Sequence, residues 1–191
     1  AQAALQARPA LVLAAPGERF DARGAIVDAD GSEHVRFERS HAGLPVIGGD
    51  FIVHQRAGQP ATASLSLRSV LKPDMRADLL AADAILVARA AFGQSTDAEP
   101  KADRVVYARG TAQPRLAWRV QLQGGESDET VIVSAQDGRM LDRWSNRETL
   151  AANGPGRTLY SGNVALATNS LASGFELRDP TRGGGYTIYA G

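Results

Sequence analysis

The sequence predicts an α+β fold: an N-terminal antiparallel β-meander, then one helix packed on a four-stranded antiparallel sheet, then a β-hairpin tail. Three observations predict it. Val35 and Phe37 alternate with charged residues, the period of a half-buried strand. A stretch ending at Phe92 carries apolar residues at helical spacing, and Asp137-Gly138 stands between two β-rich arms. One helix followed by several strands reads as a helix layer on a sheet layer.

Bulk properties bound the function. The 191 residues suffice for one large domain or two small ones. With 43% hydrophobic and 22% charged residues the chain belongs with globular proteins, not disordered ones. Lys+Arg and Asp+Glu both number 21, so no basic surplus steers the chain to nucleic acid or an anionic membrane. There is no cysteine, which excludes disulfides and Cys-ligated zinc. No run of about 18 apolar residues is present to span a membrane. The Ala1-Gln2-Ala3-Ala4 start is compatible with what a signal peptidase leaves.

The elements follow in order. After an extension over residues 1–19, Phe20 to Asp28 reads as a strand, and Asp28-Ala29-Asp30-Gly31 as its turn. Glu33 to Arg39 is the alternating strand. Gly43-Leu44-Pro45 breaks it, and Val46 to His54 starts another, with Gly48-Gly49 marking a bulge or a close backbone approach. Ala63 to Val70 completes the meander, with Leu65 and Leu67 on one face, so a first domain covers 20–70.

A second domain covers 71–146. Its helix lies between Asp74 and Phe92, with Pro73 and Asp74 favouring the start and Gly93 the stop. Ala84, Ile85, Ala88, Ala91 and Phe92 form its apolar stripe. Strands Arg104 to Ala108, Leu116 to Leu122 and Thr130 to Ala135 follow, and Met140, Leu141 and Trp144 mark the last arm. Residues 147–155 read as a linker, with Ala151 to Gly156 rich in Gly, Pro and Asn. The tail, 156–191, has short strands around Thr158–Tyr160, Val164–Leu166 and Tyr186–Tyr189. It carries too few large apolar residues to bury a core alone.

The run from His34 to His54, His-Val-Arg-Phe-Glu-Arg-Ser-His-Ala-Gly-Leu-Pro-Val-Ile-Gly-Gly-Asp-Phe-Ile-Val-His, closely resembles the fungalysin/thermolysin propeptide motif. The residues that carry the match are His34, Arg36, Phe37, Gly43, Leu44, Pro45, Val46, Gly48, Gly49 and His54. Leu116 to Val120 and Val131 to Gly138 look like the PepSY domain, a cystatin-like arrangement, although Ser134 stands where that pattern usually has Asp. Residues 156–164 and 177–184 are similar to the first β-hairpins of a mature thermolysin-like peptidase. The resemblance implies a secreted or periplasmic chain that docks on its cognate thermolysin-like peptidase domain, helps it fold and blocks its cleft until cleavage. Thermolysin-like enzymes prefer a bulky apolar residue just after the scissile bond. Leu150 is such a residue in a polar setting, so cleavage is expected at Thr149–Leu150, with Leu150–Ala151 as the alternative.

No catalytic constellation is expected on the chain itself. A zincin needs two His at i, i+4 on a helix with Glu as base. His34, His41 and His54 sit on predicted strands without that spacing, and His34 and His54 are expected to hydrogen-bond inside the sheet. There is no Gly-x-Ser-x-Gly elbow, and Gly183-Gly184-Gly185 lacks the Gly-Lys-Ser/Thr ending of a phosphate loop. Asp28 and Asp30 suit a turn, without a calcium loop after them. Zinc and calcium are expected only on the cognate peptidase domain. Trp118 and Trp144 are expected to pack in the core and on a sheet face. Two other readings stay open: a fragment of the full zinc metalloendopeptidase precursor, its catalytic residues lying beyond Gly191, and a stand-alone PepSY-type inhibitor acting in trans. A sugar-binding module would show an aromatic strip, and only 6% of the residues are aromatic.

Overall fold

A computed structural model describes Leu5, residues 7–146 and, further along, segments 151–158, 162–171, 174–176, 178–179 and 185–186. The chain divides into two compact units, Ala1–Asn146 and Arg147–Gly191.

The first unit is mixed α and β, mostly strands in one continuous sheet, with the α-helix Ala81–Phe92 packed on it. After a 3-10 turn at Pro9–Val12 come β1 (Glu18–Val27), β2 (Glu33–His41), β3 (Leu44–Ile47), β4 (Phe51–Gln55) and β5 (Thr62–Leu65). Helix α1 (Ala81–Phe92) precedes β6 (Lys101–Tyr107), β7 (Arg115–Gly124), β8 (Ser127–Ser134) and β9 (Met140–Ser145). The sheet order is β5-β4-β2-β3-β6-β7-β8-β9, with β1 on the other edge of β2.

The meander forms because its alternation is kept. Val35, Phe37, Phe51 and Val53 point to one side and bury with Val12 and Ala61. Phe37 stacks on Phe51 with ring centroids 5.3 Å apart, and Phe20 meets Phe51 edge-on. Strands β6 to β9 run antiparallel in chain order. Helix α1 lays Ala84, Ala88 and Phe92 on Leu116, Trp118, Val120, Leu122, Val131 and Val133. Gly124 is needed where this layer closes, since a Cβ there would lie 2.2 Å from the Ser95 carbonyl oxygen.

Several expectations are corrected. The sheet does not stop at β6: Val46 and Ile47 of β3 pair in parallel with Val106 and Tyr107, so the expected separate four-stranded sheet continues into the meander. Val46 to His54 is two strands, not one bulged strand. Gly48, at φ +80°, turns the chain between them. The close backbone approach is real, because a Cβ on Gly48 would lie 2.5 Å from Arg109 Cα. The strand expected over Ala63 to Val70 ends at Leu65.

The helix begins at Ala81 rather than near Asp74. Residues 74–80 stay outside the helix because their backbone finds partners elsewhere. Asp74 N–H bonds Pro114 O, and Leu116 N–H bonds Asp74 O. Both Asp78 and Leu79 donate to Ala135 O. The helix then starts with the Asp83 carboxylate accepting the Leu80 N–H at 3.2 Å and stops at Gly93, φ +74°.

In the second unit β10 (Ala151–Thr158) pairs antiparallel with β11 (Gly162–Leu171), which pairs with β12 (Gly174–Glu176). A small ladder joins β13 (Arg178–Asp179) to β14 (Gly185–Tyr186). Residues 151–155, expected as linker, thus belong to a strand. Tyr160 and Tyr189 lie outside the described residues.

Candidate functional site

Six of the motif residues, Gly43, Leu44, Pro45, Val46, Gly48 and Gly49, gather at the joint where the meander meets the helix-backed strands. Strand β2 ends at His41 and the chain reverses over Ala42 and Gly43, both at positive φ (48° and 79°). Two positive-φ residues between paired His41 and Leu44 make the type I′ geometry that suits a twisted hairpin. Leu44, half-buried, touches both the helix-backed core and the cluster of Val46, Leu67, Leu71, Val106 and Ala108. Pro45 is exposed. Val46 is buried against Val106, its parallel partner. Gly49 packs so closely that a Cβ would lie 2.6 Å from Val46 Cγ1.

Under the joint sits Arg39, which the motif contains but which was not singled out as a site residue. Its side chain and that of Glu18 are 0% and 1% exposed and lie 2.7 Å apart. Arg39 also donates to Gly49 O at 3.0 Å and Val12 O at 2.6 Å. Its guanidinium lies 5.0 and 5.3 Å from the Phe20 and Phe51 ring centroids. One fork thus ties the 3-10 turn, β1 and the β3–β4 turn together. The signal was available: Arg39 is in phase with Val35 and Phe37, so a period of two places it inside.

Phe37 belongs to the core and Arg36 to the surface, where it pairs with Asp50 at 2.7 Å. His34 and His54 are directly opposite on β2 and β4. Their Nδ1 atoms are 2.6 Å apart, His34 Nε2 is 2.9 Å from Asp28 Oδ2, and His54 Nε2 is 2.8 Å from Ser64 Oγ. The His34–His54 and His54–Ser64 bonds lie inside the sheet, as the sequence leads us to expect, while Asp28 belongs to the turn after β1. His41 is apart from them, its Nδ1 buried and without a partner.

Other polar clusters are structural. Tyr107 donates to Asp142 at 3.2 Å, and Arg109 reaches the same carboxylate at 3.3 Å while lying 4.7 Å from the Trp144 ring centroid. Burial first, and the Asp142 charge second, push the Tyr107 phenol above its ordinary value, so it stays a donor at neutral pH. Trp118 packs in the core and its Nε1–H bonds Leu79 O at 3.1 Å. Between residues 66–71 and 110–114 runs a groove with the hydroxyls of Ser66, Ser69 and Thr111, but no histidine or carboxylate lines it to activate them. Among the described residues, no group of three or more His, Cys, Asp or Glu is placed to hold a metal ion. None of their helices is long and apolar enough to cross a membrane. Of the processing residues, Thr149 and Leu150 lie outside the described residues, and Ala151 opens β10.

These six motif residues therefore line the joint between the meander and the helix-backed strands. The comparisons name the kind of chain that carries it. Residues 18–67 match the Fungalysin/Thermolysin Propeptide Motif. The chain is 31% identical over 179 residues to a transglutaminase-activating metalloprotease of Streptomyces mobaraensis, covering 87% of this chain and 23% of that protein. It is 27% identical over 187 residues to bacillolysin of Bacillus subtilis, and 25% over 199 to thermolysin of Alicyclobacillus acidocaldarius. Each of these two matches covers 91% of this chain and 36% of the relative. The chain thus spans between about a quarter and a third of the length of these relatives. Motif and relatives together support a pro-region of a thermolysin-like peptidase.

Proposed function

We propose that the chain is the intramolecular chaperone and inhibitor of a secreted thermolysin-like zinc metalloendopeptidase, and that cleavage near Leu150 removes it. The observation that carries this reading is the reach of the similarity. A match over 87% of the chain extends past Asn146, where the first compact unit ends, into the second. A pro-unit joined to the beginning of a peptidase accounts for that continuity. On this reading residues 71–146 are the PepSY-type half, with α1 backing one face of β6 to β9, and the chain has no catalysis of its own.

The physical logic is kinetic. A large peptidase can sit behind a folding barrier that a bound template lowers by stabilising the transition state, and the same binding favours the native form by mass action. Inhibition follows when the segment before Leu150 lies across the peptidase groove. The test mixes the purified 191-residue chain with a mature thermolysin-like enzyme. Peptide hydrolysis should fall at micromolar chain, and N-terminal sequencing of the processed product should begin at Leu150 or Ala151. Undiminished hydrolysis counts against inhibition. A first residue more than a turn of chain away from Leu150 rejects the processing site and leaves inhibition standing.

A further inference from the structure

We propose that the His34–His54 pair is an acid latch: the folded sheet accommodates one added proton on the pair and excludes the second. The reasoning is a count of hydrogens. A carboxylate only accepts, so His34 carries its proton on Nε2 and donates it to Asp28, 2.9 Å away. Its Nδ1 is then a lone pair, and His54 Nδ1–H donates to it across 2.6 Å. His54 Nε2 is left to accept the Ser64 hydroxyl at 2.8 Å. The neutral pair is fully satisfied.

Add one proton. His34 becomes imidazolium, its Nδ1–H now donates to His54 Nδ1, and His54 shifts its remaining proton to Nε2, where it donates to Ser64 Oγ. Every contact survives, and the new charge faces Asp28. Add a second proton and both Nδ1 atoms carry hydrogen at a separation of 2.6 Å, which no rotation of the hydroxyl relieves. The rings meet at 68° with centroids 4.9 Å apart on directly paired backbone positions, so relief costs the folded pair its bonds to Asp28 or Ser64 as one ring turns out, or the pairing of the strands.

The surrounding charges leave this count unchanged. The β1–β2 turn brings Asp28 and also Asp30, which is tied to Arg56 beyond β4 at 3.3 Å. Two and four residues along the same face of β2, Arg36 is paired with Asp50 and Glu38 with Arg23. β1 places Ile26 opposite His34, and β5 places Thr62 opposite His54 with Ser64 beside it. In acid the unfolded segment binds two protons on this pair and the folded one binds one. Stability of the β2–β4–β5 region therefore falls as pH falls, by up to about tenfold in equilibrium constant per pH unit. This is a property of the chain itself and stands apart from the inhibitory reading above.

The experiment follows the imidazole Cε1–H signals of the full 191-residue chain by NMR, with amide exchange at Val35, Phe37 and Val53. Between about pH 7 and about pH 5, amide protection corrected for intrinsic exchange should drop at least about tenfold, and the His34 and His54 signals should move together as a coupled pair. His54→Gln, and separately His34→Gln, should shrink that drop to within about threefold, since one ring alone takes its proton without conflict. His41→Gln should keep the full drop. The proposal is overturned if the two rings of the unaltered chain titrate independently with protection unchanged. That readout needs no variant to fold. It is equally overturned if His54→Gln retains the acid loss, or if His41→Gln alone removes it.

Discussion

Replacing Arg39 by Met leaves the Glu18 carboxylate buried at 1% exposure with its charged partner gone. Glu18 keeps one bond, from the Ala15 N–H at 2.9 Å to Oε2, while Oε1 already has no partner. The carbonyls of Val12 and Gly49 also lose their donors. Breaking one side of a buried pair costs about 3–5 kcal/mol, a large share of the roughly 5–15 kcal/mol that holds a domain together. Arg39→Met should therefore shift the equilibrium toward unfolded by roughly two to three and a half decades, read by urea denaturation with far-ultraviolet circular dichroism. The comparison that isolates the cause is Arg39→Met with Glu18→Leu, which removes both charges and puts apolar groups against Phe20 and Phe51. The double variant should recover most of the loss, because well-packed apolar groups often match or exceed a buried ion pair. A single variant that loses less than about 1 kcal/mol refutes the reasoning, as does a double variant no more stable than the single.

Two further outcomes are expected. Gly43→Ala and Gly48→Ala put the same methyl at nearly the same φ, +79° and +80°, but only the second meets the Arg109 backbone. Gly43→Ala should cost about 1 kcal/mol and Gly48→Ala at least about 2 more, in the same denaturation measurement; equal losses would show that the close approach is not a constraint. The Ser134 hydroxyl, then the Arg139 N–H, hold the Asp137 carboxylate below the usual value. A lowered value in the folded state contributes stability above the ordinary carboxylate range and loses it as pH falls. Asp137→Asn should flatten the acid limb of the β8–β9 hairpin slightly, since the group is exposed to solvent, and a steeper acid limb would reverse the sign assigned here.

Features of local origin were legible from the sequence. Alternation through Val35 and Phe37 gave β2, and Asp137-Gly138 gave the β8–β9 turn, where Gly138 takes φ +70°. Gly93 stopped the helix because only a left-handed residue closes it there. The motif from His34 to His54 falls within the matched residues 18–67, and hydrogen bonding of its end histidines inside the sheet followed from their place on strands, whereas their bonding to each other did not. Arg39 was missed because a charged residue reads as surface until its phase is checked.

Tertiary structure decided the rest, where a backbone group took a distant partner over a near one. Residues 74–80 could have continued the helix, yet their amides bond Pro114 and Ala135, dozens of residues away. The joint rests on two parallel pairings, Val46 with Val106 and Ile47 with Tyr107, which no local pattern announces. Local propensity reaches a few residues along the chain. A strand pairing or a buried ion pair is set by what the folded chain brings across from elsewhere, and there the sequence alone is silent.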